Sequence, residues 1–169
     1  GAMALAWLNG ATSDELRHAM LTFQGAKRRF DFILKTDKIV MIDDYAHHPQ
    51  ELAASITSVK ELYPDRKVTG VFQPHLYSRT KDFADEFAKS LSLLDELILL
   101  DIYPAREKPI EGVTSKIIFD KVTCPKTLCN KQELLPLLEN KNDIEVLLTV
   151  GAGDIDQLLE AIEEVLKEK

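Results

Sequence analysis

Apolar positions along this chain follow two rhythms that take turns. Leu52, Ile56, Val59 and Tyr63 recur at helical spacing, as do Phe83, Phe87, Ala88 and Leu91. Ile155, Leu158, Leu159, Ile162 and Leu166 form a third such stripe. Between them lie short apolar runs rich in branched residues: "KVTGVF", "ELILLDIY" and "IEVLLTV". An earlier segment, "AKRRFDFILKTDKIVMIDDYA", reads as two short strands around Thr36-Asp37, a hairpin-like entry. Pro49 suits the first position of the helix that follows, because proline lacks an N–H that would go unpaired there. Thr12 and Glu15 make a capping box ahead of Leu16, Ala19, Met20 and Phe23, with Gly25 placed to close that helix as its C′ residue. A weaker helical stretch is expected near residues 114–120 and a short strand over 125–129. Pro136 is expected to bend or shorten the helix-like "QELLPLLEN". Asp154 with Gln157 is expected to cap the last helix.

Strands alternating with helices mean βαβ units and a largely parallel sheet. Runs such as "LILL" and "VLLTV" suit strands covered by helices on both faces. The expected fold is a three-layer, Rossmann-like α/β domain over residues 28–169, with residues 1–27 as an appended helix and linker. Gly1-Ala2-Met3 has the character of an expression scar and is set aside. No repeat or low-complexity segment interrupts this pattern.

Composition narrows the classes without changing the fold. A chain of 169 residues, 45% hydrophobic and 29% charged, can bury a core without disulfides or metals. Its net charge of −7 disfavours a nucleic-acid partner, though a local basic patch can still hold a small anion. No apolar run approaches the roughly 20 residues that span a bilayer. Cys124 and Cys129 have no second pair and fit neither a redox nor a zinc motif, so they read as buried or idle thiols. The expected compartment is the cytosol.

In a parallel sheet all strands end on one edge, and ligands bind there. Four strand exits carry unusual polar loops: "DDYAHHP", "QPHLYSRT", "DIYPAREKP" and "GAGD". They gather Tyr45, His47, His48, His75, Arg79 and Arg106, which predicts one composite site. The first loop has the ingredients of a metal centre. However, successive residues of an extended segment point to opposite sides, which argues against one ion shared by His47 and His48. His48 reads better as a cap for the Pro49 helix, and Asp43 as a buried acid holding backbone amides. His75 and Arg79 sit on a strand-to-helix turn, where helix N–H groups add donors suited to a carboxylate or phosphate. Arg79 could equally pair with Asp82. "KRRFD" reads as a solvated basic knot. In "GAGDID" the glycines let the strand turn tightly into a helix. No phosphate loop, nucleophile elbow or Cys/His pair occurs. Residue chemistry alone thus reaches an anion-binding α/β domain, with a nucleotide among the ligands compatible with it.

Taken together and in order, "FQGAKRRFD", "DDYAHHPQEL", "FQPHLYSRT" and "DIYPAREKPIEGV" resemble the C-terminal domain of the Mur ligases, in the form carried by the branch that adds L-alanine. The resemblance runs from about residue 9 to residue 155. It implies an ATP-dependent amide ligase of peptidoglycan synthesis with three domains. One holds UDP-N-acetylmuramate, a central one carries the phosphate loop, and the C-terminal one closes over ATP and brings the amino acid. The sugar carboxylate is phosphorylated, the L-alanine amine attacks the acyl phosphate, and the tetrahedral intermediate loses phosphate, with Mg2+ stabilising the transferring charge.

Carried over by motif, Arg29 reaches the nucleotide, Asp44 accepts from the ribose hydroxyls, and Tyr45 lies against the adenine with His47 beside it. His75 and Arg79 hold L-alanine, the guanidinium pairing with its carboxylate. Leu76 departs from relatives that have arginine there. Arg106 and Glu107 match a family loop without an assigned role. The resemblance places the phosphate loop, the metal ligands and all catalytic groups outside this chain, with residues 4–27 as the tail of the central domain. Two alternatives stand beside it: the ligase that recycles murein tripeptide, and a stand-alone, non-catalytic module binding a nucleotide or a protein.

Overall fold

Strand alternation sorts the core into two layers. In the computed structural model, which describes residues 1–23 and 25–169, six strands form one sheet in the order β1-β2-β6-β3-β4-β5. These are β1 (Asp31–Lys35), β2 (Val40–Asp44), β3 (Val68–Phe72), β4 (Glu96–Leu99), β5 (Lys126–Leu128) and β6 (Val146–Val150). β1 is antiparallel to β2, with a register shift between Phe32 and Leu34; every other pairing is parallel. Val40, Ile42, Phe72, Leu97 and Leu148 point to one face and pack under α3 (Pro49–Leu62), α5 (Ala84–Leu91) and α6 (Lys116–Phe119). Met41, Val71, Ile98 and Leu147 point to the other, under α7 (Leu134–Glu139) and α8 (Leu159–Lys167). β3 and β6 are buried at every residue, as strands covered on both faces must be. The three-layer, mostly parallel architecture expected from the sequence is present.

The order places β6, last in sequence, between β2 and β3. The chain leaves β2 and β3 toward one face and β6 toward the other, so a crevice opens between their C-terminal ends. All four polar loops follow strands at this edge.

Several local expectations change. Helix α2 (Ser13–Thr22) has its full capping box, Thr12 and Glu15 exchanging hydrogen bonds of 2.8 and 3.3 Å. It closes at Phe23 in an extended conformation, leaving Gly25 beyond the C-cap rather than at C′; Gln24 of the first motif lies outside the described residues. The helix through Phe83 breaks there: α4 (Tyr77–Asp82) ends and α5 begins, with Phe83 at φ −116° and ψ 23°. Its ring still packs against the layer of Phe87, Ala88 and Leu91 and also meets the His48 ring at 5.0 Å. β4 stops at Leu99, four residues short of the apolar run. Pro136 falls at the third position of a six-residue α7, where its missing N–H breaks no helical bond. Asp154 and Gln157 make no capping box; residues Asp154–Leu158 form a 3-10 turn before α8. Tertiary partners have taken the Asp154 carboxylate, which accepts from Gln73 Nε2 at 2.9 Å and Lys131 Nζ at 2.8 Å.

Helix α1 (Ala2–Leu8) and α2 bury no residue at all. Trp7, Leu8, Leu21 and Phe23 are each more than 60% exposed.

Candidate functional site

The β2 exit is built on a buried ion pair. Asp43 is fully buried and accepts from the Thr149 hydroxyl at 2.7 Å and from Arg28 Nε at 3.3 Å. It therefore holds a hydroxyl and a guanidinium, not the backbone amides expected for it. Burial pushes its carboxyl above the ordinary value, against the pull of Thr149 and Arg28. Arg28 also donates to the Gly151 carbonyl at 2.7 Å, approaches Asp156 at 3.4 Å and lies 5.1 Å from the Tyr45 ring centroid. Part of the "KRRFD" knot is thus a tie between three loops rather than a solvated run. A guanidinium can do this because its donors fan out in a rigid plane.

Asp44 turns the loop. Its Oδ1 accepts from the Ala46 N–H and its Oδ2 from the Ser55 hydroxyl, both at 3.0 Å. Each carboxylate oxygen retains a lone pair for a further donor. Asp44, Tyr45, His47 and Arg29 line one open cleft of about 480 Å³, together with Glu51 and Ser55. Tyr45 is 42% exposed, and the His47 ring meets it edge-on at 5.1 Å. His47 Nδ1 is 2.9 Å from the Tyr45 carbonyl. A carbonyl only accepts, so Nδ1 carries the hydrogen and Nε2 is left as the free ring position. Glu51 accepts from the His47 and His48 N–H groups at 3.0 and 3.1 Å, and these bonds hold its carboxyl below the ordinary value. His48 stands at the N-cap of α3 with its ring against Phe83, so the two imidazoles part as the extended geometry requires.

The β3 exit forms the other half. His75 and Tyr103 bridge as a parallel pair, with their rings stacked at 5.8 Å. His75 Nδ1 and Arg79 Nη1 are buried atoms without a hydrogen-bond partner, and Arg79 makes no ion pair among the described residues. The Asp82 alternative for Arg79 is therefore not the arrangement adopted. Burial, then Arg79, then His47 lower the His75 pKa, so His47 lies near enough for its charge to register.

Gln73 joins them to the β6 turn. It donates to Asp154, and its Oε1 accepts the Ile155 N–H at 2.9 Å. Gly151 at φ +136° and Gly153 close this turn: a Cβ at Gly153 would stand 2.3 Å from Gln73 Oε1 and 2.8 Å from Tyr103 Cβ. Gly153→Ala should cost about 1–3 kcal/mol, since neither neighbour is free to yield. Urea denaturation of the chain should show a lower midpoint at unchanged m-value; an unmoved midpoint would contradict this packing.

Arg28, Ser55, Gln73 and Thr149 were missed as contributors from sequence, and Glu107 was named there without a role. Ser55 left a trace, being a polar residue on the buried stripe of Leu52, Ile56 and Val59. The others gain partners only across the sheet. Arg106 has no side-chain hydrogen bond or ion pair among the described residues.

A family model of the Mur ligase glutamate ligase domain matches residues 28–166. The UDP-N-acetylmuramate–L-alanine ligase of Parabacteroides distasonis is 67% identical over 166 residues, which cover 98% of this chain and 36% of that protein. The enzyme of the same name from Phocaeicola vulgatus is 56% identical over 170 residues, covering 99% and 37%. This chain therefore spans little more than a third of the curated relatives it matches. Among solved structures, UDP-N-acetylmuramate-alanine ligase from Thermotoga maritima superposes with a TM-score of 0.77 at 28% identity, over 98% of this chain and 36% of that one. A murein peptide ligase from Psychrobacter arcticus shares the fold, with a TM-score of 0.69 at 17% identity over 99% and 36%.

Proposed function

The chain belongs to the Mur ligase family, as its C-terminal, glutamate-ligase-type domain, and we propose that it serves a cytosolic enzyme joining L-alanine to UDP-N-acetylmuramate. The names and identities of its relatives support that substrate pair over murein tripeptide. The reaction converts ATP to ADP: the γ-phosphoryl passes to the sugar carboxylate, the amine attacks, and phosphate leaves. This chain supplies the nucleoside lip and the amino-acid holder. Asp44 takes the ribose hydroxyls on its spare lone pairs, the half-exposed Tyr45 faces the adenine with His47 at its edge, and Arg29 reaches the nucleotide. Mg2+ and the phosphate loop belong to residues outside this chain; the loop acids are engaged internally, by Thr149 and Arg28 at Asp43 and by Ser55 and Ala46 at Asp44.

One observation carries the amino-acid assignment. His75 Nδ1 and Arg79 Nη1 are buried on one turn without protein partners. A buried guanidinium nitrogen left unpaired is costly unless a ligand completes it, and an α-carboxylate fits its fork. Residues 1–27, whose helices bury nothing, are assigned to the tail of the preceding ATPase domain, with the closing domain at 28–169.

The test uses parent enzyme and isolated chain side by side. The parent should release ADP only when UDP-N-acetylmuramate and L-alanine are both present, and the 169-residue chain should release none. A parent that ignores L-alanine but accepts the tripeptide would overturn the substrate assignment. Dependent ADP release from the chain alone would overturn the division of labour.

A further inference from the structure

The helix that carries Arg79 has no cap of its own. α4 is six residues long, and its N-cap residue Leu76 offers no side-chain acceptor. Leu76 also sits at φ +70°, a conformation that L side chains adopt only under constraint from their surroundings. The constraint comes from the loop after β4. Leu76 donates its N–H to the Tyr103 carbonyl at 3.0 Å, and Tyr103 donates to Pro74 at 2.8 Å. Beyond Pro104 the loop doubles back: Ala105 takes φ +50°, and the Glu107 N–H reaches the Pro104 carbonyl at 2.9 Å. This turn carries the Glu107 carboxylate to the head of α4. Its Oε2 accepts the Ser78 N–H at 2.9 Å, and its Oε1 accepts the Ser78 hydroxyl. One of the helix N–H donors expected to be free for a ligand at that helix start, that of Ser78, is thus already engaged by Glu107.

We infer that Glu107 is a positioning residue for the amino-acid half of the site: it caps α4 from a distant loop and so sets where Arg79 presents its unpaired guanidinium. The inference rests on the reading of Arg79 as the carboxylate partner. Arg79 is the residue next to Ser78, so a first turn released from Glu107 frays at the point where the guanidinium is aimed. The carboxylate also stands near His75, where it opposes the lowering exerted by Arg79 and His47. Its negative charge beside the α4 N-terminus is the sign a helix start favours. No other acceptor for the Ser78 N–H is present among the described residues.

In the parent enzyme, Glu107→Ala should raise the KM for L-alanine about tenfold, as expected for losing hydrogen bonds to a charged acceptor, while the KM for ATP stays within about twofold. Ser78→Ala should give a smaller rise, and adding it to Glu107→Ala should change little further, because both remove the same contact. Glu107→Gln, which keeps the volume and one acceptor oxygen, should fall between wild type and Glu107→Ala. An unchanged KM for L-alanine in Glu107→Ala, or parallel rises for both substrates with a lowered Tm, would overturn the inference. A second readout needs only the 169-residue chain. Its Ser78 amide NMR shift should titrate with the Glu107 carboxyl, which the two Ser78 bonds hold below the usual glutamate range, and the step should vanish in Glu107→Gln. An amide shift blind to that titration would show the contact to be absent. A parent indifferent to L-alanine would sink the assignment of Arg79, and the Ser78 amide would still decide the contact.

Discussion

Arg79→Ala in the parent enzyme should lower kcat/KM for L-alanine by about 10²–10³-fold while leaving the KM for ATP within about twofold. The asymmetry follows from place. Arg79 stands on the β3 exit with a buried, unpaired Nη1, whereas the residues assigned to the nucleoside line the cleft beside β2. A desolvated guanidinium meeting a carboxylate is among the stronger polar contacts available, and truncation also leaves the ligand charge without a partner. Arg79→Lys should recover little, since a point charge cannot reproduce the planar fork. Steady-state kinetics with each substrate varied in turn decides it. ATP affinity falling while alanine dependence stays normal would remove Arg79 from the amino-acid site.

Arg28→Met should destabilise the isolated chain by about 3–5 kcal/mol, because it strands the fully buried Asp43 carboxylate without its cation. It also removes the donor to Gly151 and the contact with Tyr45, so the β2 and β6 exits loosen together. The pH dependence has a definite sign. The Asp43 carboxyl is raised in the folded protein above its ordinary 3.8, so the native state holds the proton more tightly and this group's contribution to stability falls as pH rises through that window. Without Arg28 the folded value climbs further. The deficit of Arg28→Met should therefore be larger at pH 7 than at pH 5, and Arg28→Met/Asp43→Asn should recover part of it. Urea denaturation at the two pH values measures both effects. A deficit that grew on acidification would mean that Asp43 is not the group left unpaired.

Much of the architecture was legible because it depends on local rules. A proline at a first helical turn, a Thr-x-x-Glu box and unbroken branched runs declare themselves over a few residues, and α2, α3, β3 and β6 follow them. The errors came where a distant partner outbid the local preference. Asp154 has the look of a helix cap but is held by Gln73 and Lys131. Gly25 was misplaced by a helix that ended earlier. For the site, the strand-end loops were identifiable because a parallel sheet puts their starting points on one edge. Their internal wiring was not. Arg28 and Arg29 are adjacent arginines in one basic run, and nothing local distinguishes the one that ties three loops from the one that lines the cleft.

The sequence by itself determined most of the strands and helices of the sheet domain, that the sheet is mostly parallel, and that Tyr45, His47, His75 and Arg79 emerge at one end of it. Hydrophobic period and turn chemistry suffice for that, since both act within a few residues. Only the tertiary structure decided that β6 inserts between β2 and β3, that Arg28 closes on Asp43 and Gly151, and that Glu107 caps the helix of Arg79. Those pairs are separated by 15, 123 and, for Glu107 with Ser78, 29 residues. Their partners are chosen by packing two helical layers on one sheet, which buries the Asp43 charge completely and brings the Arg28 guanidinium to it.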